Sequence, residues 1–343
     1  MVAHRHVVIG FQGSGKTTYA AALWHLVDAR AKEAPTVLSK GTHRGDYGYL
    51  EAIAGAWESG YQVKRSGVGT WLPIAINLTS QAIEGDIELS FVDMSGETFE
   101  QIFASREYDA RVETMARGCE GLLLFVSADR KIDDATLVAI GMSDPDEMPD
   151  EIEDEDEDEL LDELSFSGDG ATQDATSPKS ETDKGVSEPA SAEAVQPMEG
   201  PTSTVAAKPS DFTPALTPRQ VQIVDLLDAF ADPPVELKPA RIAVIISAWD
   251  LVGSGVTPEH WLARTMPLLD QYLKNLPNEV ETRIYGVSAQ GGRLPKRDKP
   301  NEPSDRDALL AEPVASRRIR VVGHNAGAHD LTHPIAWLSG LEP

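Results

Sequence analysis

Short apolar, β-branched runs alternate along the chain with stretches of helical spacing, the pattern of an α/β domain. His6–Gly10 predicts a first strand, and Lys16 to about Ala31 a helix that buries Tyr19, Leu23, Leu26 and Val27 on one face. A second helix is predicted over Tyr47–Glu58. Trp71–Thr79 and Ile87–Val92 read as strands of an antiparallel hairpin, joined by a turn at Gln81–Asp86. Pro73 places the first of these at an edge, where a missing N–H costs little. A helix from about Gln101 to Arg117 then leads to Gly121–Ser127, apolar throughout, as in a parallel strand covered on both faces.

From about Gly141 to Pro214 this pattern stops. Glu151–Glu159 is almost uninterrupted acid, and a Ser/Thr/Pro/Ala/Glu-rich stretch follows. Of the formal net charge of −26, the segment Ser143–Gly200 contributes −19, from 21 acidic and 2 basic side chains, leaving −7 for the remainder. So few apolar groups cannot offset ordering entropy, so the segment is expected to be disordered. It reads as a solvated spacer or, alternatively, as an acidic docking tract. Beyond it, Thr217-Pro218 supplies a helix N-cap and a first-turn proline. A strand at Ile242–Ser247, a helix at Pro258–Leu276, a strand at Arg283–Val287 and a short helix near Pro334–Leu338 complete the pattern. Residues 1–140 and 215–343 are therefore expected to form two parts of one three-layer α/β domain. Its sheet is mostly parallel with one antiparallel edge strand, and residues 141–214 are an acidic insert.

Charge and composition narrow the function. The acidity belongs to one segment, and no basic footprint for nucleic acid is present. The single cysteine, Cys119, excludes an internal disulfide and fits a reducing compartment. With no signal-peptide pattern and no apolar run long enough to span a bilayer, a cytoplasmic protein is expected.

Gly10-Phe-Gln-Gly-Ser-Gly-Lys-Thr17 matches G-x-x-x-x-G-K-[ST] in full, after a predicted strand and at the start of a predicted helix. Gly10, Gly13, Ser14, Gly15 and the following Thr18 frame a loop whose amides turn toward phosphate. Lys16 would reach the β- and γ-phosphates, and the Thr17 hydroxyl would ligate Mg²⁺. In Phe91-Val-Asp-Met-Ser-Gly96, Asp93 ends a strand beside that loop and suits Mg²⁺, while Gly96 offers an N–H to a γ-phosphate. Ser247-Ala-Trp-Asp250 and Ser288-Ala289-Gln290 end two later strands.

This ordered set resembles the translation-factor/Ras-related (TRAFAC) class of P-loop GTPases. The resemblance implies a GTP/GDP site in which Asp250 pairs with guanine and the Ser288-Ala289 loop presents N–H groups to the guanine oxygen. It also implies a threonine closing over Mg²⁺, best matched by Thr70, with Thr42 as runner-up. Independently of the family, a carboxylate accepts from both guanine N1–H and the 2-amino group, a donor pair adenine lacks.

Two departures stand out. Where the class has [NT]-K-x-D, Ser247 keeps a hydroxyl, but Ala248 has no stem to cover the base. Trp249 is expected in the core. Glu97 replaces the water-positioning glutamine, and a carboxylate cannot donate as an amide does. Gln12 inside the loop is a candidate substitute, with a solvent-facing side chain as the alternative, and Arg65 is a candidate cis arginine, with an ordinary surface arginine as the alternative.

The Asp-x-x-Gly-Glu form, Ser-Ala-Trp-Asp and His-Pro-Ile-Ala-Trp-Leu338 also resemble the double-GTPases of bacterial conflict systems. That implies a switch working beside a protein partner. His324, His329, His333 and Asp330 cluster in sequence but match no zinc spacing. The expected function is a slow, Mg²⁺-dependent GTPase switch; a nucleotide-binding pseudo-GTPase scaffold and a P-loop ATPase are the alternatives.

Overall fold

Strands that are apolar at every position need cover on both faces, and the fold supplies it. The computed structural model describes residues 2–28, 34–42, 47–63, 72–93, 96–107, 110–129 and 217–341. Its strands are β1 (Val2–Gly10), β2 (Ser39–Lys40), β3 (Leu72–Thr79), β4 (Asp86–Asp93), β5 (Gly121–Ser127), β6 (Arg241–Ser247), β7 (Glu281–Ser288) and β8 (Arg320–Val322). They form one sheet in the order β2-β3-β4-β1-β5-β6-β7-β8. The central run β4-β1-β5-β6-β7 is parallel. The expected antiparallel pairing of β3 with β4 is present. β3 is not the edge strand expected from Pro73, because β2 pairs outside it; that pairing reaches only Leu78–Thr79, so among the described residues no strand pairs with Pro73 on that side. At the other edge β8 runs antiparallel to β7, in a segment too short for its pattern to announce it.

The helices are α1 (Lys16–Asp28), α2 (Gly48–Glu58), α3 (Gly96–Ser105), α4 (Ala110–Ala116), α5 (Arg219–Ala231), α6 (Pro258–Thr265), α7 (Pro267–Lys274), α8 (Arg306–Leu310) and α9 (His333–Leu338). Alternate residues of β1, β5 and β6 feed two separate cores. Val8, Leu123, Phe125, Ala243 and Ile245 pack with α1, α2 and α9. Val7, Ile9, Leu122, Leu124, Val126, Ile242, Val244 and Ile246 pack with α3 to α7. The expected three layers follow from this period of two.

Several boundaries move for local reasons. The helix expected over 101–117 is two helices, α3 and α4; α3 starts earlier, at Gly96, and ends where Arg106 takes a φ of 59°. The helix expected over 258–276 breaks at Met266-Pro267, because a proline cannot donate to the preceding turn. Thr217 does not cap α5: Pro218 is the cap residue with no side-chain bond, and the Thr217 carbonyl instead accepts from Gln222. The described residues fall in one unit assembled from both halves of the chain. The acidic insert expected at 141–214 lies outside them. No helix among the described residues is long and apolar enough to cross a membrane.

The C-terminal segment is built into the core. Buried Asp330 accepts from the Val37 N–H (2.9 Å) and from the backbone (2.8 Å) and hydroxyl (2.6 Å) of Thr332. Tyr19 donates to the Leu331 carbonyl at 2.6 Å, and burial raises its phenol well above the usual range. Cys119 is buried, and that burial pushes its thiol up to about 11.

His6, at 0 % exposure in β1, meets Ser339 after α9 through Nε2 at 2.8 Å, and Ser339 in turn donates to the Ile335 carbonyl. Burial, with His4 nearby, lowers the His6 pKa to about 3. The unfolded chain therefore takes up this proton first as pH falls, and stability declines from about pH 6.5 downward. Unfolding free energy is expected to drop by roughly 2 kcal/mol between pH 7.5 and 5 from His6 alone. Urea titrations of His6→Gln should lack that part of the slope; an unchanged slope would refute the assignment.

Candidate functional site

The parallel strands bring five chain segments to one end of the sheet. Register pairs Val8 with Phe91, Gly10 with Phe125, Ser127 with Ser247 and Ile246 with Gly286. Asp93, Gly10, Ser247 and Ser288 are thus the last residues of neighbouring strands. After β1 the chain continues toward the β2 edge and after β5 toward the β8 edge, and such a switch point between neighbouring strands is where open α/β sheets bind ligands.

The loop from Gly10 to Lys16 is shaped by glycine. Gly13 and Gly15 take φ of 69° and 88°, and a Cβ on Gly15 would lie 2.9 Å from Ser247 Cβ. A Cβ on Gly10 would meet Phe125 Cβ and Ser14 Oγ at 2.7 Å. The Ser14 N–H closes the turn on the Phe11 carbonyl at 3.2 Å, and Gly15 accepts from Tyr19 in the first turn of α1. Lys16, only 8 % exposed, donates its ammonium to the carbonyls of Gly10 (2.5 Å) and Phe11 (3.0 Å). Ser14 is buried, Gln12, Thr17 and Thr18 are half-buried, and Gly13 is exposed. This is a backbone cradle at a helix N-terminus with a cation already seated, and it fits a polyphosphate. Thr17 lies in the first turn of α1 and Asp93 is the last residue of β4.

The second half of the site rests on a bond that the motif alone did not announce. Asp250 lies in a 3₁₀ turn, Trp249–Leu251, and the buried Ser288 hydroxyl donates to its carboxylate. Ser288 Oγ in turn accepts from the Gly291 N–H at 3.0 Å. The Ser-Ala-x loop therefore orients the aspartate as well as standing beside it. Ala248 adopts φ 53°, a left-handed conformation that costs an alanine about 1 kcal/mol and turns the chain into the 3₁₀ segment. Trp249 packs into the core, as expected, over the bare Cα of Gly286. Ala289 accepts from Trp57 Nε1 at 2.8 Å, and Gln62 donates to the Leu294 carbonyl at 2.7 Å. These contacts tie the segment after Ser288 to the end of α2, a link between halves with no sequence signal.

Not every expected residue joins this cluster. Thr42 does not: its N–H donates to Asp86 at the start of β4, about 23 Å along the strand from Asp93. Thr70 and Arg65 lie outside the described residues. Gly96 opens α3 and Glu97 follows it, but the side chains of Asp93 and Glu97 are not among those described. The histidines separate into structural roles. His324 accepts from the Ile284 N–H at 3.2 Å, burial lowering its pKa, and His329 bonds the Ile319 carbonyl at 2.6 Å. His333 is buried in α9. No group of three or more His, Cys, Asp or Glu among the described residues is arranged for a metal ion.

Fold and loop together define a P-loop nucleotide-binding protein. The family model described as Double-GTPase 1 matches residues 7–338, and the chain belongs to that family. Membership implies guanine-nucleotide binding. No curated protein matches the chain.

Because a Cβ on Gly286 would stand 2.2 Å from Trp249 Cδ2, Gly286→Ala must displace the ring and with it the 3₁₀ turn that carries Asp250. A loss of about 3 kcal/mol in unfolding free energy is expected from this overpacking. Near-native stability in chemical denaturation would show that Trp249 is free to move.

Proposed function

We propose that the protein is a slow, Mg²⁺-dependent GTPase that acts as a molecular switch for a protein partner. The observation that carries this reading is the convergence of the Lys16 loop, the end of β4 at Asp93 and the Asp250–Ser288 pair at one sheet end. In this reading Lys16 and the loop amides bind the β- and γ-phosphates, and Asp250 accepts from guanine. Ser288 and Ala289 complete the base loop, with Ser247 against Gly15 joining the two halves. Thr17, Asp93 and Thr70 would hold Mg²⁺, which would supply positive charge against the phosphates. Water attacks the γ-phosphorus in line, the bond to the bridging oxygen breaks, and GDP and phosphate leave. Glu97 cannot donate an amide hydrogen bond to that water, so turnover is slow. The half-buried Gln12 is the substitute within the loop. Gly96, with its N–H at the start of α3, is the sensor of the γ-phosphate. Family kinship supports a place in a bacterial conflict system, and the single cysteine suits a cytoplasmic site of action.

Fluorescent GTP and ATP binding tests the reading, with Lys16→Ala as the blank. Tighter GTP than ATP binding is expected, with at least a roughly hundredfold loss in Lys16→Ala. Asp250→Asn should shift preference from guanine to xanthine nucleotides; unchanged GTP binding would sink the base site. Single-turnover phosphate release separates a slow GTPase from a scaffold, since a scaffold releases none even as Glu97→Gln. Deleting Ser143–Gly200 is expected to leave nucleotide affinity within about twofold, a difference under roughly 0.5 kcal/mol. Lost binding would make the acidic insert part of the fold.

A further inference from the structure

Arg219 is the first residue of α5, where the described chain resumes after the acidic stretch. Its guanidinium carbon lies 4.4 Å from the centre of the Phe11 ring. Nη1 donates to Gln222 Oε1 at 2.9 Å, and buried Gln222 donates to the Thr217 carbonyl at 2.7 Å. Thr217, Arg219 and Gln222 thus form a braced arm ending on a residue of the phosphate loop. The other neighbours of Phe11 belong to the same apparatus. Its ring lies 6.0 Å from that of Phe99 on α3, and the Lys16 ammonium lies 5.9 Å from the Phe99 ring. Phe99 in turn meets Phe230 of α5 at 6.4 Å. The Phe11 carbonyl is the one that accepts from both Lys16 and the Ser14 N–H. Arg219 therefore covers the ring of the residue whose backbone seats the lysine and closes the loop.

We propose that Arg219 is a positioning residue of the phosphate loop: by stacking on Phe11 it fixes the carbonyl that seats Lys16, so the start of α5 sets the loop's affinity for triphosphate. The proposal rests on the nucleotide-binding reading above. A guanidinium combines charge with a flat face that stacks on a ring while its edge donates, which a lysine ammonium does not. Reciprocity follows: nucleotide that orders the loop also orders the start of α5, and restraint on α5 alters nucleotide affinity by the same factor.

The test uses the full chain with Arg219→Ala and Arg219→Lys, each alone and combined with Phe11→Leu. Fluorescent GTP and ATP affinities are measured for all, with melting temperatures. Arg219→Ala is expected to weaken GTP binding roughly tenfold in the native background, with Arg219→Lys intermediate. In the Phe11→Leu background the same change should cost less than about twofold, because the ring it acts through is gone. An equal factor in both backgrounds, or no effect, overturns the proposal. Hydrogen exchange without nucleotide gives a second readout. Faster exchange at the loop amides 12–15 in Arg219→Ala, with β5 and β6 unchanged, supports the positioning role. Unchanged loop exchange, or acceleration spread over the whole sheet, refutes it. A chain that prefers ATP would overturn the guanine assignment while leaving the Arg219 comparison intact. If neither nucleotide binds, the functional reading falls and the exchange measurement still decides whether Arg219 positions the loop.

Discussion

A buried ammonium is tolerated only where acceptors surround it, and the seat of Lys16 organises this end of the molecule. The two carbonyls it reaches belong to Gly10 and Phe11, residues that leave β1 as the sheet ends. Holding them there needs β1 between β4 and β5, a bare Cα at Gly10 against Phe125, and a turn open enough for Gly13 and Gly15 to take positive φ. The aromatic group of Phe11, Phe99 and Phe230 then packs beneath the loop on the face covered by α3 to α7. The phosphate site and the core under it are one construction.

The proposed base half is organised around a different constraint, a carboxylate held by a hydroxyl. Ser288 at the end of β7 reaches Asp250 just after β6 because those strands are parallel neighbours. Trp249 anchors the turn by filling the space Gly286 leaves empty. Ser247 touches the position where Gly15 would carry a side chain, so the halves meet at a contact with no slack. The cost of this close fit is intolerance to added carbon at Gly10, Gly15 and Gly286.

Joining the halves is the task of a chain interrupted by a long acidic stretch. β5 before it and β6 after it pair over seven residues in parallel register. α5, the first element after it, packs on α3, the helix that starts at Gly96, with Arg106 paired to Asp225. The first described helix after the insert is therefore in contact with elements beside the Gly10–Lys16 loop.

Much of this was legible from residue order. Uninterrupted apolar runs at Gly121–Ser127 and Ile242–Ser247 announced parallel strands, because only a two-sided core accepts them. Gly10–Thr17 announced the loop, since its glycines and lysine are needed at fixed covalent spacing. The acidic composition marked where the domain pattern stops. Helix ends were less legible: the break at Arg106 and the early start at Gly96 depend on packing, not on propensity. The sequence by itself thus determined the elements, the class of sheet and the phosphate loop, which are set by local periodicity and contiguous residues. Only the tertiary structure decided that Ser288 holds Asp250, that Trp57 reaches Ala289, that Thr42 stands at the wrong end of β4 and that Arg219 covers Phe11. Those pairs are 38 to 232 residues apart where the bonds are direct, and no one-dimensional pattern encodes which strand end lies beside which.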